Sequence, residues 1–342
     1  MKAVYLQDHG GIEKLLVGDV PEPIVGRGEA LVRVKACALN HLDVWVRMGI
    51  PGLDIPLPHI MGSDAAGVVE KVGPDVRNWT PGQRVLVAPG LSCANCASCR
   101  AGDDHLCEQY DILGQKSAGV FSELIKVPAT NLVPIPAQFS FEQAASIPLV
   151  FTAAWHMLVT LDKVRNDEWV LVHAGGSGVG IAAIQVAKLH GAKVIATVGT
   201  PEKAAKAKAL GAVETILYQE KDFLEETRRI TGGKGVDAVV EHIGVSSFSK
   251  SLACLTVGGR MLVCGATSGR EVSFDLRALF ARNITIFGVR MGKRIGLVQV
   301  VTNMASSKLK PVVDKVFPIE EVAAATRHME ERKNFGKIVL TV

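Results

Sequence analysis

The chain changes its hydrophobic rhythm twice. Across residues 1–128 the apolar segments are short and broken by glycine and proline: KAVYL, EALVRVKACAL, AAGVVEKVG and QRVLVAP. Such segments predict β-strands joined by turns. Ser140-Phe141-Glu142-Gln143 then has the spacing of a capping box and predicts a helix start. From Glu168 onward, strand-like and helix-like stretches alternate. EWVLVHAG leads into a helix reaching Lys188, KVIATVG into PEKAAKAKALG, and VDAVVEHIG into SFSKSLACL, before GRMLVCGA and NITIFGVRM. Strands alternating with helices imply βαβ units and a parallel sheet. Near Val312 the rhythm changes again, with VVDKVFP and GKIVLTV as strands around the helical EEVAAATRHMEERK. No internal repeat is evident.

At 342 residues, 48% of them hydrophobic, the chain is long enough for about two domains with real cores. Charged residues are 21%, which argues against disorder. No apolar run approaches the ~18 residues of a membrane span. The start, MKAVYLQDHGGIEK, alternates like a strand and lacks the pattern of a signal peptide, so a cytoplasmic location is expected. Net charge is +4 with no basic stripe, so no nucleic-acid partner is expected.

Four of the seven cysteines crowd together: Cys93, Cys96, Cys99 and Cys107. Four thiolates can close a tetrahedral shell around one Zn²⁺ and leave no open position, which is a structural site. The lobe around them is rich in Gly and small residues, and a metal would substitute for its missing core. An unmetallated thiol loop or partial disulfides are the alternatives.

The strand WVLVHA runs into Gly175, Gly176, Ser177, Gly178, Val179 and Gly180, then into a helix. That order of strand, glycine turn and helix predicts a pyrophosphate site of N–H groups and helix dipole. An NAD enzyme of this type places an acid at the tip of the second strand. Here the tip reads Val198-Gly199-Thr200-Pro201, with Lys203 close behind. A missing acid with a hydroxyl and an ammonium suits the 2′-phosphate of NADPH better than NADH.

These residues resemble the medium-chain dehydrogenase/reductase family over nearly the whole chain. The resemblance is carried by LNHLDVWVRMG at 39–49, MGSDAAGVVEKVG at 61–73, PGQRV at 81–85, the cysteine lobe, VHAGGSGVGIAAIQVAK at 172–188 and the closing FGKIVLTV. It implies an α/β fold: a Rossmann doubly wound parallel sheet at 129–291, inserted in a GroES-like β-rich catalytic domain. That domain would comprise 1–128 and 292–342, with the zinc lobe at 90–110. In the zinc alcohol dehydrogenase branch a Cys, a His and a later Cys hold a catalytic zinc. In that register stand Asn40, Ser63 and Pro148, with Asp64 at the position of a nearby Glu. The chain is similar instead to the quinone oxidoreductase branch, which lacks catalytic zinc and shows Asn then Asp, as in Asn40 and Asp43. That likeness implies that Lys203, Tyr218 and Arg332 meet the 2′-phosphate. The cysteine lobe is the departure from that branch.

The activity implied is NADPH-dependent hydride transfer to a quinone, enone or aldehyde. Asn40 would donate to the developing oxyanion, Asp43 would orient it or cap a turn, and His41 would relay a proton or pack over cofactor. Two other classes compete. One is a zinc alcohol dehydrogenase with substitute ligands such as Cys37, His41, His59 and Asp64. The other is a cofactor-binding protein without activity. NITIFGVRM would be an exposed edge strand, so a homodimer or homotetramer is expected. His156, His173 and His242 read as packing or cofactor wall.

Overall fold

The computed structural model describes all 342 residues, and the chain divides into two compact units. Unit 1 holds Met1–Leu149, Lys293–Ser307 and Pro311–Val342; unit 2 holds Val150–Gly292 and Lys308–Lys310. In chain order, the elements of unit 1 that matter for function begin with β1 (Glu29–Ala38), α1 (His41–Met48), β2 (Asp64–Val72) and β3 (Arg84–Val87). They continue with α2 (Ala97–Arg100), β4 (Leu124–Pro128), β5 (Leu132–Pro134) and α3 (Phe141–Ala145). Unit 2 contributes β6 (Trp169–Val172), α4 (Gly178–Leu189), β7 (Lys193–Val198), α5 (Pro201–Leu210) and β8 (Ala212–Leu217). Then follow β9 (Val236–Glu241), α6 (Phe248–Cys254), β10 (Leu255–Val263) and β11 (Thr285–Gly288). The chain returns to unit 1 with α7 (Arg294–Ala305), β12 (Val313–Pro318), α8 (Val322–Glu330) and β13 (Lys337–Thr341).

Unit 1 is built on a seven-stranded sheet in the order β5-β3-β2-β1-β13-β12, with β4 also on β1. Its core is aliphatic, with Val32, Val34, Val69, Val85, Ile338 and Leu340 buried among others. One register decides the site. Ala38 pairs with Asp64 on one side and with Val339 on the other. Because β13 runs antiparallel to β1, Lys337 comes opposite Asn40. Residues 129–149, which the sequence reading gives to the nucleotide-binding half, pack in unit 1. The reason is pairing: β5 hydrogen-bonds along β3, and Ala144 and Ala145 of α3 are fully buried. The Ser140 capping box is present, with Ser140 Oγ accepting from Gln143 N.

Unit 2 is a six-stranded parallel sheet in the order β8-β7-β6-β9-β10-β11. In sequence order this is 3-2-1-4-5-6, the doubly wound arrangement that binds dinucleotides at the carboxyl ends of its strands. The near-continuous apolar strands follow from burial on both faces. Val170, Leu171 and Val172 of β6 and Val239 and Val240 of β9 have no exposed surface. No helix is long and apolar enough to cross a membrane.

Candidate active site and cofactor turn

Asn40 sits at the join of β1 and α1, in extended conformation, as the N-cap residue. Its backbone N–H donates to Asp43 Oδ2 at 2.8 Å. Asp43 thus meets the backbone of Asn40 and caps the helix. The carboxamide is oriented by two other residues. Lys337 Nζ donates to Asn40 Oδ1 and Leu39 O, each at 2.5 Å, and to Asp64 Oδ2 at 3.0 Å. Asn40 Nδ2 donates to Asp64 Oδ2 at 2.9 Å, while its second hydrogen finds only Ala38 O at 3.5 Å. Asp64 Oδ1 accepts from Leu149 N at 2.9 Å.

All four polar residues are buried: Asp64 at 0%, Lys337 at 3%, Asn40 at 5% and Asp43 at 6% exposure. An ammonium there is tolerable because its three hydrogens all have acceptors and a carboxylate neutralises it. Burial pushes the Asp43 carboxyl up to about 7, against the pull of the Asn40 N–H and Lys337. Burial, with Asp43 and Asp64 nearby, also pushes the Cys37 thiol well above its usual range. His41 opens α1 with its ring edge-on to Trp45, centroids 5.2 Å apart. Ser63 is wholly buried and its Oγ has no hydrogen-bond partner. Cys37, His41, His59 and Asp64 are not brought together as a ligand set. His59 instead donates from Nε2 to Gly114 O at 3.0 Å. Sequence reasoning passed over Lys337; its one signal was a lysine inside an otherwise apolar strand.

In unit 2, β6 turns at Ala174, whose φ is +43°, into the glycine stretch. A Cβ on Gly180 would lie 2.2 Å from Ala174 O, so only glycine lets turn and helix approach this closely. Ser177 is the N-cap of α4, its Oγ accepting from Gly180 N at 3.0 Å. That satisfies one first-turn N–H and leaves those of Gly178 and Val179 at the positive end of the helix. Val198 is buried and faces Gly175 across the turn, so no acid stands at the strand tip. Thr200 is the N-cap of α5: its Oγ1 accepts from Lys203 N at 3.2 Å, and its hydroxyl hydrogen is still able to donate. Tyr218, 41% exposed, brings its hydroxyl beside Gly199, where a Cβ would lie 3.1 Å away. Thr200, Lys203 and Tyr218 thus gather around one strand end. Arg332 belongs to unit 1, on an exposed turn after α8 with φ +56°.

The four lobe sulfurs lie within 4.8 Å of one another, and every cysteine of the chain is a free thiol. Zn–S bonds of about 2.3 Å put tetrahedral sulfurs about 3.8 Å apart, and Cys93 Sγ is 3.9 Å from Cys99 Sγ. Backbone N–H groups of Cys96, Cys99 and Cys93 point at the sulfurs of Cys93, Cys96 and Cys107, at 3.3–3.5 Å. This donor set fits a zinc ion. The lobe is tied to α7 by Lys293–Asp103 at 2.6 Å and by Arg294 N to Asp104 at 3.2 Å.

The alcohol dehydrogenase GroES-like domain family matches residues 26–137, and the zinc-binding dehydrogenase family matches residues 178–306. The chain belongs to the medium-chain dehydrogenase/reductase superfamily. Members of this superfamily that resemble it differ in chemistry. A 2-haloacrylate reductase of a Burkholderia species is 32% identical, covering 99% of this chain and 98% of that protein. A crystal structure of an NAD-dependent alcohol dehydrogenase has 48% identity and a TM-score of 0.96, covering all of both chains. A quinone oxidoreductase of Escherichia coli, solved with NADPH, has 29% identity and a TM-score of 0.86, again covering all of both chains. As a medium-chain dehydrogenase/reductase, the chain is an NAD(P)-dependent oxidoreductase with a GroES-like domain and a Rossmann-type sheet.

Proposed function

We propose that this oxidoreductase moves hydride from NADPH to a quinone or another conjugated carbonyl, in the cytoplasm, with one structural zinc in the Cys93–Cys107 lobe and no catalytic zinc. The supporting observation is the donor set at the metal register. Asn40 and Ser63 are poor zinc ligands, and the Asn40 oxygen is already occupied by the buried ammonium of Lys337. When bound, the nicotinamide supplies the hydride chemistry. The protein's part is placement. The N–H groups of Gly178 and Val179 hold the pyrophosphate, and Thr200, Lys203 and Tyr218 hold the 2′-phosphate. Lys337 and Asp64 fix the carboxamide of Asn40, whose weakly engaged second hydrogen donates to the oxyanion. His41, at the start of α1, delivers the proton that completes the product.

A second reading is oxidation of alcohols with NAD, favoured by the 48% identical alcohol dehydrogenase. Zinc analysis with a turnover screen separates the two. The first reading expects about one zinc per chain and turnover of quinones or enals with NADPH. Two zincs per chain, with alcohol turnover under NAD, would establish the second.

A further inference from the structure

Unit 2 contains a line of buried polar side chains that the hydride chemistry does not use. Glu241, at the end of β9, has no exposed surface, yet it accepts four different donors. Ile243 N reaches Oε1 at 2.7 Å and Gly244 N at 3.1 Å. Ser247 Oγ lies 2.9 Å from both oxygens, and Ser251 Oγ donates to Oε2 at 2.6 Å. Beyond Ser251 the line continues. His173 Nε2 lies 2.8 Å from Ser251 Oγ, and His173 Nδ1 lies 3.2 Å from Thr197 Oγ1. Thr197 Oγ1 accepts from Ala174 N at 3.1 Å, at the first residue of the glycine turn.

The carboxylate end fixes the protons nearest to it. A backbone N–H can only donate and a carboxylate can only accept. Ser251 gives its hydrogen to Glu241, so it must accept from His173 Nε2–H. In the neutral ring Nδ1 carries no hydrogen and accepts from Thr197 Oγ1, which in turn accepts from Ala174 N. The chain runs in one direction without a break, and His173 is the neutral Nε2–H tautomer. Burial, opposed by Glu241, depresses the His173 pKa to about 4, which keeps the ring neutral. His242, the other titratable group against it, donates from Nε2 to His173 O at 3.0 Å.

We infer that this ordered relay is the positioning device of the cofactor turn: Thr197, His173, Ser251 and Glu241 set the conformation of Ala174–Gly176 and couple it to the loop at Ile243–Ser247. The relay crosses the carboxyl ends of the three central strands, β7, β6 and β9, where a doubly wound sheet receives its nucleotide. A buried chain of this kind is stiff, because removing one member strands the next without a partner. The inference rests on the reading that the glycine turn binds NADP or NAD, and its test separates the two.

Thr197→Val removes the hydroxyl at nearly constant shape and leaves the backbone acceptor of Gly175 N, Thr197 O at 2.8 Å, in place. It should weaken NADPH and NADH binding alike by roughly tenfold, and Thr197→Ser should restore both. In the cofactor-free protein, Thr197→Val should speed hydrogen exchange at the Ala174 amide. The ¹⁵N shifts of His173 should report the neutral Nε2–H tautomer from pH 5.5 to 8 in the parent protein. An Nδ1–H tautomer, or unchanged Ala174 exchange and cofactor affinity in Thr197→Val, would overturn the relay. Absence of any nicotinamide binding by the parent protein would overturn the turn's assignment, while the tautomer and exchange measurements still judge the relay.

Discussion

Asp43 shows how one residue can serve local structure and respond to pH. Its carboxylate caps α1 through the Asn40 N–H, which is a helix N-terminus doing what such termini do. Burial nevertheless raises its pKa to about 7. The unfolded chain gives up this proton near pH 4, whereas the folded chain holds it to about 7. In that window the native state binds more protons, so stability falls as pH rises and levels off above about 7. Asp43→Asn removes the effect and keeps an acceptor for the cap. Denaturant titrations at pH 5 and 7.5 should show the variant losing less stability than the parent, by at least about 1 kcal/mol. Parallel pH profiles would mean that Asp43 is ionised throughout. Lys203 carries the cofactor preference at the same scale. Losing one charged hydrogen bond to a phosphate costs about 1.5–3 kcal/mol, so Lys203→Ala should weaken NADPH tenfold or more and leave NADH nearly unchanged. Titration with both cofactors checks this; an equal loss for both would remove the case for NADPH.

At the scale of elements, the cysteine lobe has almost no core of its own. Of its four thiols only Cys107 is buried, and α2 spans only Ala97–Arg100. A metal would provide the cross-links that apolar side chains provide elsewhere. Cys99→Ser should therefore lower the thermal midpoint and loosen the lobe, while cofactor affinity stays within twofold. Elemental analysis of the native protein belongs beside it. A metal-free chain that melts at the same temperature as the variant would show that the thiols hold nothing. In unit 2, by contrast, α4 and α5 each start on a side-chain cap, Ser177 and Thr200.

For the molecule as a whole, the edge of the parallel sheet poses a question of assembly. β11 pairs with β10 alone, so its other side is an unpaired row of backbone groups. In the same unit Phe280 is 69%, Val257 68% and Leu276 65% exposed. Large apolar side chains left in water, like a free strand edge, are covered at little cost by a second copy. A homodimer, or a tetramer made from dimers, is the expected state. Light scattering over a range of concentrations should give at least twice the 36.4 kDa of the chain, and Phe280→Asp should shift the balance toward monomer. A monomer at every concentration would refute the assembly.

The sequence by itself determined whatever depends on near neighbours. The alternation of strands and helices, the Ser140 box, the glycine turn and the cysteine spacing are each written within a few residues, because turn sterics, helix caps and tetrahedral ligation act over that range. The absence of an acid at Val198 was legible for the same reason, and so was the meeting of Thr200 and Lys203 in one helical turn. The tertiary structure alone decided the rest. Lys337 and Asn40 stand 297 residues apart and meet only because β13 pairs with β1 in one register. Once met, they change roles: the carboxamide is oriented by Lys337 and Asp64, and Asp43 becomes a cap. Residues 129–149 join unit 1 because a strand goes where its edge is paired, which no local pattern records. The relay from Glu241 to Ala174 was hidden in residues that read as packing, His173 among them. Whether a buried polar group is filler or part of a network depends on which partners the fold brings within hydrogen-bonding distance.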